Sequence, residues 1–318
     1  MPPLTGLLVA DLTRYLPGAH AGRELLRFGA RVVRIEPPDG DPMRATAPAW
    51  DAALNAGKES VVCDLKSDAG VALARALLAR ADVVLEGFRP GVAARLGVGP
   101  DDARHDAVYC SITGFGTEGR HAARPGHDLN YLGWAGALAD TAPAMPPLQI
   151  ADLAAGALGA VTQILAALLE GGGARVTVSM THGAHDLVAH RVGGEPVPKL
   201  LTGGVACYRI YETADGRFLT VGALEPKFWR RLCELVGLPK LAGRQWEPNV
   251  PELEQTFASR PLADWLDLFD GEDVSAGPVA TLAEAAREFA SGDQLGPAPR
   301  IGEHTDAWRA ELGHAGGS

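Results

Sequence analysis

Cysteine is scarce in this sequence. There are 4 in 318 residues, at Cys63, Cys110, Cys207 and Cys233, with no CxxC pair and no zinc-type spacing. That excludes a disulfide-stapled secreted scaffold and a cysteine-ligated zinc module. Three of the four lie in apolar stretches and read as buried thiols in a reducing compartment. Aromatic residues are few, at 6%, and Ala, Gly and Leu dominate instead, a bias typical of high-GC genomes. Basic residues are outnumbered, 29 Lys and Arg against 39 Asp and Glu, for a net charge of -10. The bulk attraction that makes nucleic acid a default partner is therefore missing. The opening MPPLTGLLVADLTRY lacks the basic segment and apolar core of a secretory signal. The apolar run over residues 153–169 is interrupted by Gly156, Gly159, Thr162 and Gln163. It is too short and too rich in small residues to be expected to span a membrane. The expectation is a cytoplasmic protein with neither nucleic-acid nor membrane partners.

A sizeable core is present in composition: 47% of the residues are hydrophobic and 21% charged, as in soluble globular domains. Its arrangement is alternating. An apolar run at residues 6–12 (GLLVADL) is followed by a helical stretch to about Phe28, then RVVRIE at residues 31–36. Strand, helix and strand within about thirty residues make a βαβ unit, which implies a parallel sheet with helices on its faces. Pro37 and Pro38 stop the second strand, and residues 39–57 read as irregular. The pattern then repeats with SVVCDL at residues 60–65, a helix capped by Ser67 and running to about Arg80, DVVLEGF at 82–88, a short helix with Arg95, and AVYCSITGFG from Ala107. After Glu170, three glycines end a long helix, RVTVS at 175–179 reads as one more strand, and a helix follows to about His190. Such regular alternation predicts an open, doubly wound α/β layer.

From Gly193 the character changes. Asp215-Gly216 between two alternating runs signals a β-hairpin. Helices are expected at about 227–236 and 251–269, and residues 275–287 read as a strand leading into a helix. Residues 1–190 are therefore expected to form a Rossmann-like large domain and residues 191–290 a smaller α+β domain. The tail, residues 291–318, either returns to the large domain or frays at its Gly-rich end.

Several motifs tempt a stronger reading. Gly114, Gly116 and Gly119 match GxGxxG after a predicted strand, but RHAARPGHD is a poor helix start, so a tight turn is expected rather than a dinucleotide site. His182, His185 and His190 do not share one helical face, and no metal site is expected. Residues 124–170 hold the more promising chemistry: Gly126-His127-Asp128-Leu129-Asn130-Tyr131, a Pro-rich connection, then Asp152 just before a long small-residue helix. An imidazole and a carboxylate at turn-to-helix junctions are what a two-base proton transfer needs. Position alone equally fits plain capping for Asp152, an ordinary loop contact for His127, and a cap for Glu225 ahead of Pro226.

Taken together, GLLVADLTRYLPG, FGARVVRIEPP, CDLKSDAG, VVLEGFRPGVAARLG, SITGFGTEG, GHDLNY, DLAAGALGA and YETADGRFLTVGALEPKFW resemble the family III CoA-transferase superfamily over residues 4–290. Within it, His127 in GHDLNY and the GALEPKFW stretch resemble the α-methylacyl-CoA racemases. The resemblance implies an interlocked homodimer of Rossmann-like chains acting on acyl-CoA thioesters in lipid metabolism, with no cofactor beyond the substrate's own CoA. It implies a base on each face of a planar enolate, His127 and Asp152, with Glu225 in support and the backbone N–H of Asp128 as enolate-oxygen donor. For CoA it implies Cys63, Asp64, Leu65 and Lys66, then Gly87, Phe88 and Arg89, then Arg95, and Gly126, Asp128, Leu129, Asn130 and Tyr131, with Lys66, Arg89 and Arg95 supplying charge. Pro37 and Ala56 depart from the family pattern, which often has an Arg after the second strand and an RGK-like stretch. Arg34 and Lys58 are the candidates to compensate. The same resemblance leaves open a CoA transferase using Asp152 as nucleophile, and a non-catalytic acyl-CoA-binding homologue.

Overall fold

The computed structural model describes residues 1–290 and 295–315. The chain divides into two compact units, Met1–His190 with Asp293–Ser318, and Arg191–Gly292.

The first unit is built on six parallel strands. In chain order these are β1 (Leu8–Asp11), α1 (Tyr15–Arg27), β2 (Arg31–Glu36), α2 (Met43–Thr46), α3 (Pro48–Asn55), β3 (Glu59–Val62), α4 (Asp68–Leu78), β4 (Val83–Glu86), α5 (Val92–Arg95), β5 (Val108–Thr113), α6 (Asp128–Ala135), α7 (Gly159–Leu169), β6 (Arg175–Ser179) and α8 (Met180–Val188). The sheet order is β3-β2-β1-β4-β5-β6. Both faces are covered, which is why the strands read as continuous apolar runs. Val9, Val32, Val83, Leu85, Val108 and Ile112 enter one core with α1, α6, α7 and α8. Their neighbours Ala10, Val33, Val61, Val84 and Tyr109 enter the opposite core with Ala74, Leu77 and Leu78 of α4. The predicted doubly wound α/β layer is thus the architecture found.

Residues 39–57, expected to be irregular, hold α2 and α3. Neither has the length or apolar stripe that announces a helix; both are held by charge. Arg34, 3% exposed, places Nη2 at 2.6 Å from the carboxylate of Asp51 in α3 and 3.3 Å from Asp41. Arg44 of α2 bonds Glu36 at 2.6 Å. Burial of these ions is tolerated because each has partners.

The helical run containing α7 begins earlier, at Ala151, with a π-helical segment, Ala151–Leu158. By length and composition alone, Ala151–Leu169 is long and apolar enough to cross a membrane. Its inner face packs within the first unit, where Ala151, Ala155, Ala157, Ala160 and Ile164 are buried. Small residues let the backbones close: a Cβ on Gly183 would meet Ala155 Cβ at 2.8 Å.

The second unit contains β7 (Tyr208–Glu212), β8 (Phe218–Gly222), α9 (Pro226–Leu235), α10 (Pro251–Phe257), α11 (Leu262–Phe269), β9 (Ala276–Pro278) and α12 (Leu282–Phe289), with β7-β8-β9 antiparallel. The Asp215-Gly216 turn joins β7 and β8 as expected. Residues 251–269 form two helices rather than the single one expected, because Pro261, with its fixed φ and no N–H, separates them. All four cysteines, not three, are buried and unpaired.

The C-terminal segment returns to the first unit as α13 (Thr305–Ala315) and covers the edge strand β3. Val62 N–H donates to Thr305 Oγ1 at 3.0 Å, Ser60 N–H donates to His304 Nδ1 at 3.3 Å, and His304 N–H donates to Ser60 O at 2.9 Å. An otherwise open sheet edge is thereby paired. Trp308 is 1% exposed; its Nε1 donates to Glu59 at 2.6 Å, and the Arg31 guanidinium stacks 4.1 Å from its ring centroid. The Gly-rich end, residues 316–318, lies outside the described residues. Trp308→Ala should therefore cost the first unit about 3–5 kcal/mol. A urea titration would read this as a lower midpoint; a loss under about 1 kcal/mol would contradict the docking of α13.

Candidate active site

Strand order reverses between β1 and β4, the strands on which the chain starts outward in two directions. In open α/β sheets the crevice at the carboxyl ends of such strands is where ligands bind. Here it is a cavity of about 580 Å³. Its walls are the turn after β1 (Thr13, Arg14, Tyr15), the turn after β4 (Gly87, Phe88, Arg89), the end of β5 (Thr113, Gly114), residues 124–127 with Asn130 and Tyr131, and Asp152.

Each wall has a local cause. After β1, Asp11 accepts hydrogen bonds from Thr13 N–H at 3.0 Å and Thr13 Oγ1 at 2.5 Å, and Asp41 accepts Tyr15 N–H at 3.2 Å. These bonds hold Tyr15 at φ +64°, a left-handed conformation uncommon for a bulky residue and characteristic of functional turns. After β4, Glu86 accepts Phe88 N–H at 2.7 Å. Gly114 is required for a packing reason: a Cβ there would meet the Tyr131 ring at 2.5 Å. The GxGxxG stretch opens no helix, and Gly116 and Gly119 sit at φ +88° in turns.

His127 is the residue preceding α6. Its own N–H donates to Asn130 Oδ1 at 3.1 Å, and its ring stands edge-on to Tyr15, centroids 6.5 Å apart. Asp152 differs from the expected N-cap. The helical run starts at Ala151, Asp152 falls inside its first turn, and its carboxyl makes no cap hydrogen bond. The cap comes from elsewhere: Asp152 N–H donates to Asp128 Oδ1 at 3.0 Å. The Asp152 side chain is thus left to the cavity. Burial pushes its carboxyl up to about 7, and the neighbouring Asp128 adds to the rise.

Of the residues expected to serve chemistry or CoA, the cavity gathers His127, Asp152, Gly87, Phe88, Arg89, Gly126, Asn130 and Tyr131. Cys63, Asp64, Leu65, Lys66, Arg95, Asp128 and Leu129 are outside its lining. Glu225 belongs to the second unit, where it precedes α9 with no side-chain cap bond. Arg34 and Lys58 do not present compensating charge to a ligand. Arg34 is committed to Asp51, Asp41 and Glu36, while Lys58 is fully enclosed, bonded to Ala19 O at 2.9 Å and Asp11 at 3.4 Å. The cations the sequence reading missed are Arg14 and Arg124. Among the described residues neither they nor Arg89 has a carboxylate in ion-pair range, so three guanidiniums without an ion pair line one cavity, Arg124 resting 5.3 Å from the Trp134 ring centroid. Their signal was positional: Arg14 lies on the β1–α1 turn of a Rossmann-like unit, and Arg124 two residues before the GHD motif.

The other large hollow, about 1000 Å³ in the second unit, lies on the β7-β8-β9 face and contains no carboxylate or imidazole. His182 and His185 are engaged locally, with Ser179 Oγ at 2.7 Å and Ala135 O at 3.0 Å.

The first unit thus brings an imidazole, a carboxyl pushed up to about 7 and three arginines without ion pairs to one switch-point crevice. Residues 4–304 match the model of the family described as CoA-transferase family III, and the chain belongs to that family. It is 34% identical to the alpha-methylacyl-CoA racemase of Mus musculus over 93% of this chain and 85% of that protein. It is 31% identical to the succinate–glutarate CoA-transferase of Agrobacterium fabrum over 89% of this chain and 81% of that protein. Among solved structures, a CAIB/BAIF family protein from Brucella suis superposes with a TM-score of 0.83 at 27% identity, covering 98% of this chain and 99% of that one. The chain is accordingly an enzyme of the superfamily that holds both racemases and CoA transferases.

The Asp152 shift has a measurable cost. The carboxyl ionises near 3.8 in the unfolded chain and near 7 when folded. Between those values the unfolded state releases its proton first, so native stability falls as pH rises through the window, and the loss is complete above it. Asp152→Asn removes that loss. At pH 8 the variant should exceed the wild type by about 1–3 kcal/mol, allowing for partial exposure, and near pH 4 the two should be alike. Denaturant titrations at both pH values check this; an equal difference at each would show that Asp152 ionises normally.

Proposed function

We propose that the enzyme is an α-methylacyl-CoA racemase, interconverting (2R)- and (2S)-2-methylacyl-CoA thioesters by α-proton transfer through an enolate. The observation that carries this reading is that His127 and Asp152 line one cavity while the Asp152 carboxyl is poised near neutrality. Inversion needs a base on one face of the α-carbon and an acid on the other, with roles exchanged for the reverse direction. A carboxyl near 7 is populated in both forms at physiological pH, as is an imidazole in general. His127 takes the α-proton from one enantiomer, and protonated Asp152 returns a proton to the opposite face; the other enantiomer reverses the roles. The Asp128 N–H, in the first turn of α6 where the helix supplies no acceptor, is the proposed donor to the enolate oxygen.

CoA arrives on the substrate and no further cofactor or metal is required. Arg14, Arg89 and Arg124 are proposed to take its phosphates, since guanidiniums without a carboxylate partner keep their donors for charge-assisted bonds, and a cation stacked on a ring, as Arg124 is on Trp134, keeps its N–H groups at the edge. Lys66, Arg95 and the segment around Cys63 remain proposals for its outer part. A homodimer, interlocked as in the family, is proposed in addition. Leu129, Trp134, Leu158 and Leu187 of the α6–α8 region are 42–51% exposed, an apolar surface suited to a second copy. A cytoplasmic setting fits the four buried, unpaired thiols.

A second reading has its own support, because CoA transferases match this chain at comparable identity. There ionised Asp152 would attack the thioester carbonyl and expel the CoA thiolate to leave a mixed anhydride; the thiolate would then attack the aspartyl carbonyl, releasing the acyl carboxylate and leaving an aspartyl-CoA thioester.

Incubation of a 2-methylacyl-CoA in D₂O without an acceptor acid should give α-deuterium exchange. His127→Ala and Asp152→Ala should each lower exchange about 100- to 10,000-fold, and Glu225→Gln less than either. Absence of exchange, with CoA moving to an added carboxylate and hydroxylamine trapping Asp152, would establish the transferase instead.

A further inference from the structure

The two groups assigned to the chemistry come from helix starts 25 residues apart in sequence, yet one side chain belongs to both. Asp128 is the residue after His127 and opens α6. Its carboxylate, 7% exposed, reaches across to accept the Asp152 N–H at 3.0 Å. We propose that Asp128 is a positioning residue for the reaction, its carboxylate locking the start of the Asp152 helix to the start of the His127 helix and presenting a fixed negative charge to the Asp152 carboxyl. This rests on the two-base reading above for its catalytic meaning, but the contact itself does not.

The geometric half follows from capping. The first N–H groups of a helix have no partner within it, and a carboxylate there is held by hydrogen bonding and by the helix dipole. Ordinarily the cap is the residue just before the helix. Here Ile150 occupies that place and cannot serve, so the acceptor is borrowed from α6. The borrowed cap ties two otherwise independent backbone segments. The winding that follows is π-helical over Ala151–Leu158, and such windings concentrate at functional sites.

The electrostatic half follows from what surrounds Asp152. From α6 it faces Asp128 and the Tyr131 phenol, with His127 at the helix start. The cavity adds Arg14, Arg89 and Arg124; of these, Arg89 lies close enough to act on Tyr131. On α1, His20 and Arg23 pair with Glu24, and on α8 His182 and His185 are engaged with Ser179 and Ala135, with Asp186 also on that helix. Among the described residues Asp128 has no ion-pair partner. Its charge is therefore unneutralised where it meets Asp152, and the rise of the Asp152 carboxyl has burial as its first cause and Asp128 as its second. Two carboxyls in differing environments divide the proton unequally, the standard way of keeping one of them an acid at neutral pH.

Asp128→Asn separates the halves, because its amide oxygen still accepts the Asp152 N–H while the charge is gone; Asp128→Ala removes both. The direct readout is ¹³C NMR titration of the Asp152 carboxyl in the full chain, its resonance identified by its absence in Asp152→Asn. The Asp152 midpoint should fall by roughly one pH unit in Asp128→Asn, the remainder of the rise being burial. The pH profile of α-deuterium exchange should move the same way, with kcat reduced more than KM is changed, and Asp128→Ala should lose roughly a further tenfold in kcat through misplacement. A midpoint unmoved in folded Asp128→Asn overturns the proposal. Should that variant not fold, Asp128→Ser decides on the same readout, since its hydroxyl oxygen can accept the Asp152 N–H without the charge; an Asp152 midpoint unmoved there overturns the coupling. Wild-type protein without exchange would sink the racemase reading while leaving the titration to judge Asp128 on its own.

Discussion

The reversal of strand order beside β1 is the constraint on which the rest of the first unit depends. β1 is paired to β2 on one side and β4 on the other, so the connection leaving β1 runs toward β2 while the one leaving β4 runs toward β5, and the two part above the carboxyl ends of this strand pair. Everything chemical in this unit gathers in that opening: two strand-end turns, the loop that delivers His127, and the helix start that delivers Asp152. The sheet itself contributes to the cavity wall only at the end of β5. It contributes rigidity, because strands buried on both faces cannot shift without opening two cores at once.

The opening is also where charge has to be divided between structure and ligand. The polar groups behind the β1–α1 turn are consumed internally: Asp11 by Thr13 and Lys58, Asp41 by Tyr15 and Arg34, Glu36 by Arg44 and Ser60. This network fixes the left-handed Tyr15 and so the position of the ring against His127. Its completeness explains why Arg34 and Lys58 are lost to substrate binding. A buried cation released from its carboxylates would leave them uncompensated, a larger penalty than the binding it gained. The cations left at the cavity wall are Arg14, Arg89 and Arg124, which stand on solvent-facing turns.

How much of this was legible in the sequence follows the same physics. β1, β2, β4 and β5 were plain because two-sided burial writes itself as a mostly apolar run, interrupted in β2 by the buried Arg34 and in β5 by Ser111. α2 and α3 were not, since their stability comes from Arg34–Asp51 and Arg44–Glu36 contacts between residues 8 to 17 positions apart, which no periodicity records. His127 and Asp152 were legible only through the motif each sits in, reinforced by family resemblance. The cap on Asp152 was misassigned because local sequence offers an Asp near a helix start and cannot show that the acceptor is Asp128, 24 residues earlier. Arg14 and Arg124 stood in quoted motifs, but their availability depends on the absence of carboxylate neighbours, a property of the folded surface. Arg95 and Lys66, by contrast, had the right charge and lie outside the cavity.

The properties that make Asp152 useful are therefore those that weaken the fold around it. A buried carboxyl beside another carboxylate, in a helix of small residues wound irregularly, destabilises the native state as it ionises. An ordinary helix start with its own N-cap would be more stable and would turn the Asp152 side chain toward its own backbone N–H groups. Moving the cap to a second helix resolves the conflict: the backbone is satisfied, the carboxyl is free, and the free carboxyl is held near a proton affinity at which it can both give and take. The same device ties Asp152 to His127 through a single intervening residue, so the start of the Asp152 helix is held to the start of the His127 helix by hydrogen bonding within one wall of the cavity.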